Sequence, residues 1–217
     1  MEKNNNHYHP QAVLWDMDGV LVQTDHLWKN GFIEKTKEQG HIWRSEDTAA
    51  CRGRTGEDIA LHLSTIFTSS QARKIVKEVE NFVASNINHG ILSKNVVEVL
   101  TYYYNKSIPM AVVTSSLPEI VESLEKILPL PFFKEKITSK DVSVGKPDPQ
   151  GYYLAAQKLG VEIKECLIFE DSDSGIQAAL SSGAHVIAMP KTETFQPSTR
   201  LTIVKDVKDW HERYLLP

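Results

Sequence analysis

The chain has 217 residues, 41% of them hydrophobic and 24% charged, the balance of an ordinary globular protein that can bury a sizeable core, alone or with a smaller insert. A formal net charge of -4 with no long Lys/Arg run excludes the attraction to a polyanionic backbone on which nucleic-acid binding rests. Cys51 and Cys166 lie far apart without metal-ligand spacing, so they read as reduced thiols rather than a disulfide framework.

The opening segment, MEKNNNHYHP, lacks the apolar middle of a secretion signal, and no later stretch approaches membrane-spanning length. We therefore expect a soluble cytoplasmic protein with a frayed start and no membrane partner. His7 and His9 read as part of a solvated tail, not a metal site. "AVLW" (12 to 15) follows as a continuous apolar run, the pattern of a strand buried on both faces, and "DMDG" comes directly after it.

From about Asp25 to Gly90 there are helical periods but no convincing buried strand. "GEDIALHLSTIF" offers Ile59, Leu63 and Ile66, with Thr55 and Asp58 in capping-box spacing. "KIVKEVENFVASN" offers Ile75, Val79, Phe82 and Val83. Tyr102, Tyr103 and Tyr104 read as one face and the edges of a core helix. "MAVVT" (110 to 114) is a second buried strand, and "SLPEIVESLEKIL" predicts a helix capped by Ser116, with Glu119 three residues on. "DPQGYYLAAQKLG" predicts another, with Asp148 as cap, Pro149 at its first position and Gly160 as its stop. "CLIF" (166 to 169) is a third strand, followed by "SGIQAALSSG", a helix ending at Gly183. "HVIAM" (185 to 189) and the weaker "LTIV" (201 to 204) complete the set. Strands alternating with helices predict an α/β fold: a Rossmann-like parallel sheet core, interrupted after its first strand by a helical insert. The expected division is 1–24 and 91–217 for the core and 25–90 for the insert.

Each of the three clearest strands ends in polar residues: Asp16 and Asp18, then Thr114, Ser115 and Ser116, then Glu170 and Asp171. In open parallel sheets, ligands sit outside the carboxyl ends of the strands, so these clusters should converge. Asp16, Asp18, Glu170 and Asp171 in one pocket cannot all be ionised without a counter-charge. Hard oxygen ligands without His or Cys favour Mg²⁺. Lys146 in "SVGKPDPQ", the hydroxyls of Thr114 and Ser115, and the helix start after Thr114 supply the positive side of a phosphate site. Asp16 can then attack phosphorus, giving an aspartyl-phosphate, while Asp18 protonates the leaving oxygen and later activates water.

Blander readings apply to each piece alone. "DMDG" suits a turn, but as a calcium loop it fails, because Val20 and Leu27 stand where ligands belong. "GK" at 145 to 146 is not a P-loop, since Lys140 replaces the first glycine and Pro147 the hydroxyl residue. Their joint occurrence in order at strand ends is what carries the reading.

Taken together, "DMDGVL", "VVTSS", Lys146 in "GKPDP" and "FEDSDSGIQAALSSG" resemble the four motifs of the haloacid dehalogenase superfamily of phosphohydrolases, within its beta-phosphoglucomutase-like branch, over nearly the whole chain. The resemblance implies that Asp16 is nucleophile and metal ligand. It implies that Asp18 is acid/base and gives its backbone carbonyl to Mg²⁺, and that Asp171, with Glu170 nearby, completes the metal site. It further implies that Thr114 and Lys146 hold the phosphate and that the insert is a mobile cap. Mutase members of that branch add a cap His and a cap Arg; here Trp28 and Gly56 occupy those positions, with His26 and Arg54 close by. The expectation is a phosphatase acting on a small phosphorylated metabolite, sugar phosphates first by resemblance. Arg52, His26 and Arg54 are candidate specificity residues; Trp28 and Trp43 are expected to pack between cap helices, with stacking on a substrate ring as the alternative. A phosphosugar mutase is the alternative. A receiver-like signalling module is disfavoured because its lysine follows all its acids, and a non-catalytic phosphate-binding protein because no motif is broken. Oligomeric state is open, with a monomer compatible.

Overall fold

The protein is described by a computed structural model covering residues 9–88, 91–128, 131–191 and 195–215. His7 lies outside the described residues, and His9 is exposed. The strands are β1 (Ala12–Trp15), β2 (Met110–Val113), β3 (Glu135–Ile137), β4 (Cys166–Glu170), β5 (His185–Ala188) and β6 (Leu201–Ile203). They form one parallel sheet in the order β3-β2-β1-β4-β5-β6. β1 is thus central, with Trp15 in register with Val112 of β2 and Phe169 of β4.

The apolar runs are continuous because both faces of the sheet are covered. Ala12, Leu14, Ala111, Val113, Cys166 and Ile168 pack on one side against α7 (Gln150–Leu159) and α8 (Asp173–Ser182). Val13, Trp15, Val112, Leu167 and Phe169 face the other side, with α5 (Val96–Asn105), α6 (Pro118–Glu125) and α9 (Val207–Trp210). On that second face Trp15 stacks on Phe169 at 4.1 Å and 7° between ring planes. Tyr103 is buried there, whereas Tyr104 is 46% exposed. Neither cysteine is in a disulfide, and burial raises both thiols to about 12.

Among the described residues between β1 and α5 lie the α-helices α1 (Asp25–Lys37), α2 (Ser45–Cys51), α3 (Gly56–Leu63) and α4 (Ser69–Asn86). α1 and α3 both pack against α4, and their apolar residues Leu27, Phe32, Ile59 and Val79 continue the apolar cluster on the Trp15 face of the sheet. Thr55 caps α3 as its spacing predicts, accepting from the Asp58 amide at 3.2 Å. Gly160 and Gly183 end α7 and α8 in the left-handed region, also as expected.

Three local expectations need correction. α6 begins at Pro118 with Leu117 as cap, not at Ser116: proline sets the first helical φ and forces the residue before it into an extended conformation. The Ser116 hydroxyl is used elsewhere. Similarly, α7 takes Pro149 as its cap, and Asp148 sits one residue earlier, its carboxylate accepting from the Gln150 amide at 2.9 Å. Ile66 is 40% exposed because α3 stops at Leu63, before the apolar stripe reaches it.

Candidate active site

β1 delivers Asp16 to the carboxyl edge of the sheet. Its amide still pairs with the Phe169 carbonyl at 3.0 Å, so the first residue past the strand is held in ladder geometry. The chain then turns at once: the amides of Leu21 and Val22 both reach back to the Met17 carbonyl, and Gly19 adopts a φ of +88°. A side chain at Gly19 would overlap the Asp171 carboxylate. This glycine therefore lets the first loop approach the acid at the end of β4. Gly175 plays the same part at the start of α8, where a Cβ would strike the Glu170 carboxylate.

Lys146 lies at the centre of what these turns bring together. Its buried ammonium donates to Asp16 Oδ1 and Glu170 Oε1, each at 2.5 Å, and to the Val113 carbonyl at 3.2 Å. All three of its protons are used. Glu170 is fully buried and completely engaged: Oε1 also accepts from the Tyr152 hydroxyl at 3.0 Å, and Oε2 from the amides of Asp171 and Ser172 at 2.8 and 3.0 Å. Carboxylate oxygens of Asp16, Glu170 and Asp171 all lie within 4.8 Å of one another. Among the described residues, Asp171 Oδ2 is buried without a hydrogen bond, with Lys191 the nearest cation at 3.6 Å.

The electrostatics follow from three clustered buried acids, of which only Asp16 and Glu170 share the buried ammonium. Burial pushes the Asp16 carboxyl well above the usual carboxylate range, the Glu170 charge adds to the rise, and Lys146 opposes it. Burial also raises Asp171 to about 8, again with Glu170 adding and Lys191 opposing. For Lys146 burial works against the charge, but Asp16 and Glu170 outweigh it and hold the group well above an ordinary lysine. The cluster is thus short of positive charge, and it offers an orphaned, buried carboxylate oxygen among hard ligands. Those are the properties of a site for a small divalent cation.

Asp18 is held apart from that cluster. Its Oδ1 accepts from Thr24 Oγ1 at 2.5 Å and from the Trp28 indole at 2.9 Å, and its Oδ2 accepts from Ser116 Oγ at 2.8 Å. Of the four acids grouped from sequence, the structure clusters three side chains and gives the fourth its own set of donors. Thr114 Oγ1 accepts from the Ser116 amide at 3.0 Å, which leaves its own O–H to donate. Ser115 differs, because its hydroxyl donates to the Gly53 carbonyl of the α2–α3 loop at 2.9 Å and ties that loop to the sheet edge.

Asp16, Asp18, Thr114 and Ser115, together with Trp28, Trp43 and Arg54, line a cavity of about 90 Å³. Trp43 stacks on Phe32 at 4.7 Å, so one aromatic wall is braced from within the insert. His26 is exposed on α1 and is not part of the lining; Arg52 is, with its guanidinium on Asp25 at 3.2 Å. Residues that sequence reasoning did not assign to the site are Thr24, Tyr152 and Lys191, along with the contacts of Ser116 and Trp28 to Asp18. Two of these had a signal: Ser116 through its place beside Thr114 and Ser115, and Trp28 through standing where mutase members carry a cap His.

The family model of haloacid dehalogenase-like hydrolases matches residues 13–189, from β1 to just past β5. The chain belongs to this family. Among its relatives in the family is a phosphorylated carbohydrates phosphatase of Thermotoga maritima, 31% identical over 180 residues, covering 80% of this chain and 82% of that protein. Hexitol phosphatase A of Escherichia coli is 27% identical over 179 residues, covering 82% of each. Among solved structures, beta-phosphoglucomutase from Clostridium difficile superposes with a TM-score of 0.79 over 95% of this chain and 98% of its own, at 16% identity, which shows a shared fold. Within residues 13–189 lie Asp16, Lys146, Glu170 and Asp171, which the structure brings together, and Thr114, which lines the same cavity as Asp16.

Proposed function

We propose that this chain is a phosphatase that hydrolyses small phosphate monoesters, sugar phosphates among them, through an aspartyl-phosphate on Asp16. The observation that carries the reading is the site's division of labour. Asp16 lies 2.5 Å from a buried ammonium and beside an acidic cluster, while Asp18, two residues on, is held separately by three donors. The relatives named as phosphatases of phosphorylated carbohydrates and hexitols support the same class.

On this reading Asp16 and Asp171 would hold Mg²⁺ with Glu170 beside them, together with the Asp18 backbone carbonyl that the family resemblance adds. When bound, the ion supplies positive charge for the phosphoryl oxygens. Lys146 anchors the Asp16 carboxylate and neutralises part of the charge arriving with the phosphoryl group. Thr114 donates its free O–H to a phosphoryl oxygen. Asp18 gives a proton to the leaving oxygen and takes one from water in the second half, which is worth roughly 10² to 10⁴ in rate. Residues 25–90 act as a cap over the core formed by 1–24 and 91–217. Arg54 and the Trp28–Trp43 wall contact the leaving group, and His26 lies outside that contact. The protein acts on a metabolite in the cytoplasm; among the described residues, no helix is long and apolar enough to cross a membrane.

Incubated with Mg²⁺ and a panel of sugar phosphates, the protein should release inorganic phosphate. Isomerisation of the sugar phosphate without phosphate release would establish the mutase alternative instead.

Metal dependence has a signed signature. Asp171 is raised to about 8 in the folded chain against 3.8 ordinarily, so without metal the folded state holds a proton that the unfolded state has released. Stability of the metal-free protein therefore falls as pH rises between those values. Melting of EDTA-treated protein should shift to lower temperature from about pH 5 to about pH 8, and millimolar Mg²⁺ should raise Tm at the upper pH far more than at the lower. A Mg²⁺ effect of equal size at both would place the ion away from Asp171.

A further inference from the structure

Asp18 is a proton carrier whose two oxygens are not equivalent, and the difference comes from outside the catalytic motifs. Its partners are two hydroxyls, of Thr24 and Ser116, and one indole N–H, of Trp28. A hydroxyl rotates and can donate or accept, whereas an indole N–H can only donate. Trp28 at 2.9 Å therefore keeps Oδ1 an acceptor whichever way the Thr24 hydroxyl points, whereas Oδ2 faces only the Ser116 hydroxyl, which can reverse. Trp28 sits on α1, in the segment between β1 and α5, with its ring stacked near Phe32 at 6.3 Å and 22°, and it also lines the cavity that holds Asp16. Thr24, the residue that caps α1, makes no cap hydrogen bond, because its hydroxyl turns to Asp18 instead.

We propose that Trp28 is a positioning residue whose indole N–H fixes Oδ2 of Asp18 as the oxygen that carries the transferable proton. This rests on the phosphatase reading above. In the first half-reaction the Asp16 oxygen forms a bond to phosphorus and the bond from phosphorus to the leaving oxygen breaks. The proton on Asp18 Oδ2 passes to that oxygen and completes the alcohol. In the second half the oxygen of water bonds to phosphorus, the Asp16–phosphorus bond breaks, and Oδ2 takes a proton from the water. Phosphate leaves and Asp18 is again the acid. Without the N–H, Oδ1 competes for the proton and part of each turnover begins with it on the wrong oxygen.

The test compares wild type with Trp28→Phe, which keeps an aromatic ring beside Phe32 and removes the donor, on two esters. One is the sugar phosphate turned over fastest; the other is 4-nitrophenyl phosphate, whose leaving group departs without a proton. kcat/KM reports the first half-reaction, where the proton is given. For Trp28→Phe it should fall about tenfold or more on the sugar phosphate and less than about threefold on the aryl ester, a part of what a general acid supplies. In an Asp18→Asn background the same substitution should cost nothing further on the sugar phosphate. Trp28→Tyr, which also lacks the indole N–H, repeats the comparison, with Tm recorded for every variant. Equal losses on the two esters, no loss on either, or a full additional loss beside Asp18→Asn would each overturn the assignment. A wild type that hydrolyses neither ester overturns the phosphatase reading itself, a result distinct from all of these.

Discussion

Asp16→Asn should reduce phosphate release by at least about 10³-fold while leaving the far-UV circular dichroism spectrum unchanged. The amide nearly matches the carboxylate in shape, so the turn after β1 and its bond to the Phe169 carbonyl are kept. Lys146 also stays paired, because Glu170 lies 2.5 Å from it on the other side. What is lost is the nucleophile: an amide oxygen does not form a stable bond to phosphorus at this site. Rapid acid quench of the wild type should trap protein-bound phosphate that hydroxylamine releases, and the variant should trap none. Substantial residual turnover in the variant would remove Asp16 as the nucleophile.

Lys146→Met should be costly for both stability and rate. The side chain is similar in length, but the ammonium shared by Asp16, Glu170 and the Val113 carbonyl is gone. Removing one partner of a buried ion pair costs about 3–5 kcal/mol, because the remaining charge is uncompensated. Here the loss has a pH sign. Lys146 is the group that opposes the upward shift of Asp16, so without it the folded chain holds on to its proton still longer than the unfolded chain does. The deficit should be larger at pH 8 than at pH 5, which denaturant titrations at the two values would reveal. Turnover should fall by about 10² to 10³, the scale of losing one preorganised charge. A variant as stable as wild type at the upper pH would show that the lysine is not part of a buried network.

Most of the sheet was legible because its strands are short, apolar and buried on both faces, a pattern that helices of the same composition rarely share at four to five residues. β3 escaped for a physical reason: of Glu135, Lys136 and Ile137 only the last is buried, and the two charges are turned outward into ion pairs with Lys158 and Glu125 at the sheet edge. α1 was equally hard to see. Its buried residues, Leu27, Gly31, Phe32 and Thr36, include a glycine and a threonine, while Ile33 lies exposed, so the apolar stripe is blurred. The helix-ending glycines and the Thr55 cap were readable because each is a local event settled within one turn.

By itself the sequence determined which chemistry-bearing residues exist and that all but Lys146 follow an apolar run, since strand burial, capping and chain reversal depend on near neighbours. Only the tertiary structure decided who meets whom. Lys146 reaches an acid 130 positions away, and Ser116 reaches one 98 positions away. Those meetings depend on β1 lying between β2 and β4 and on Gly19 and Gly175 letting backbone approach carboxylate, and hydrogen-bond partners at that separation leave no periodic trace in the chain. The same holds for the separation of roles between the two aspartates. In the sequence Asp16 and Asp18 are near-equivalent neighbours; in the fold one is burdened by burial and by Glu170, and the other is held by a threonine, a serine and an indole.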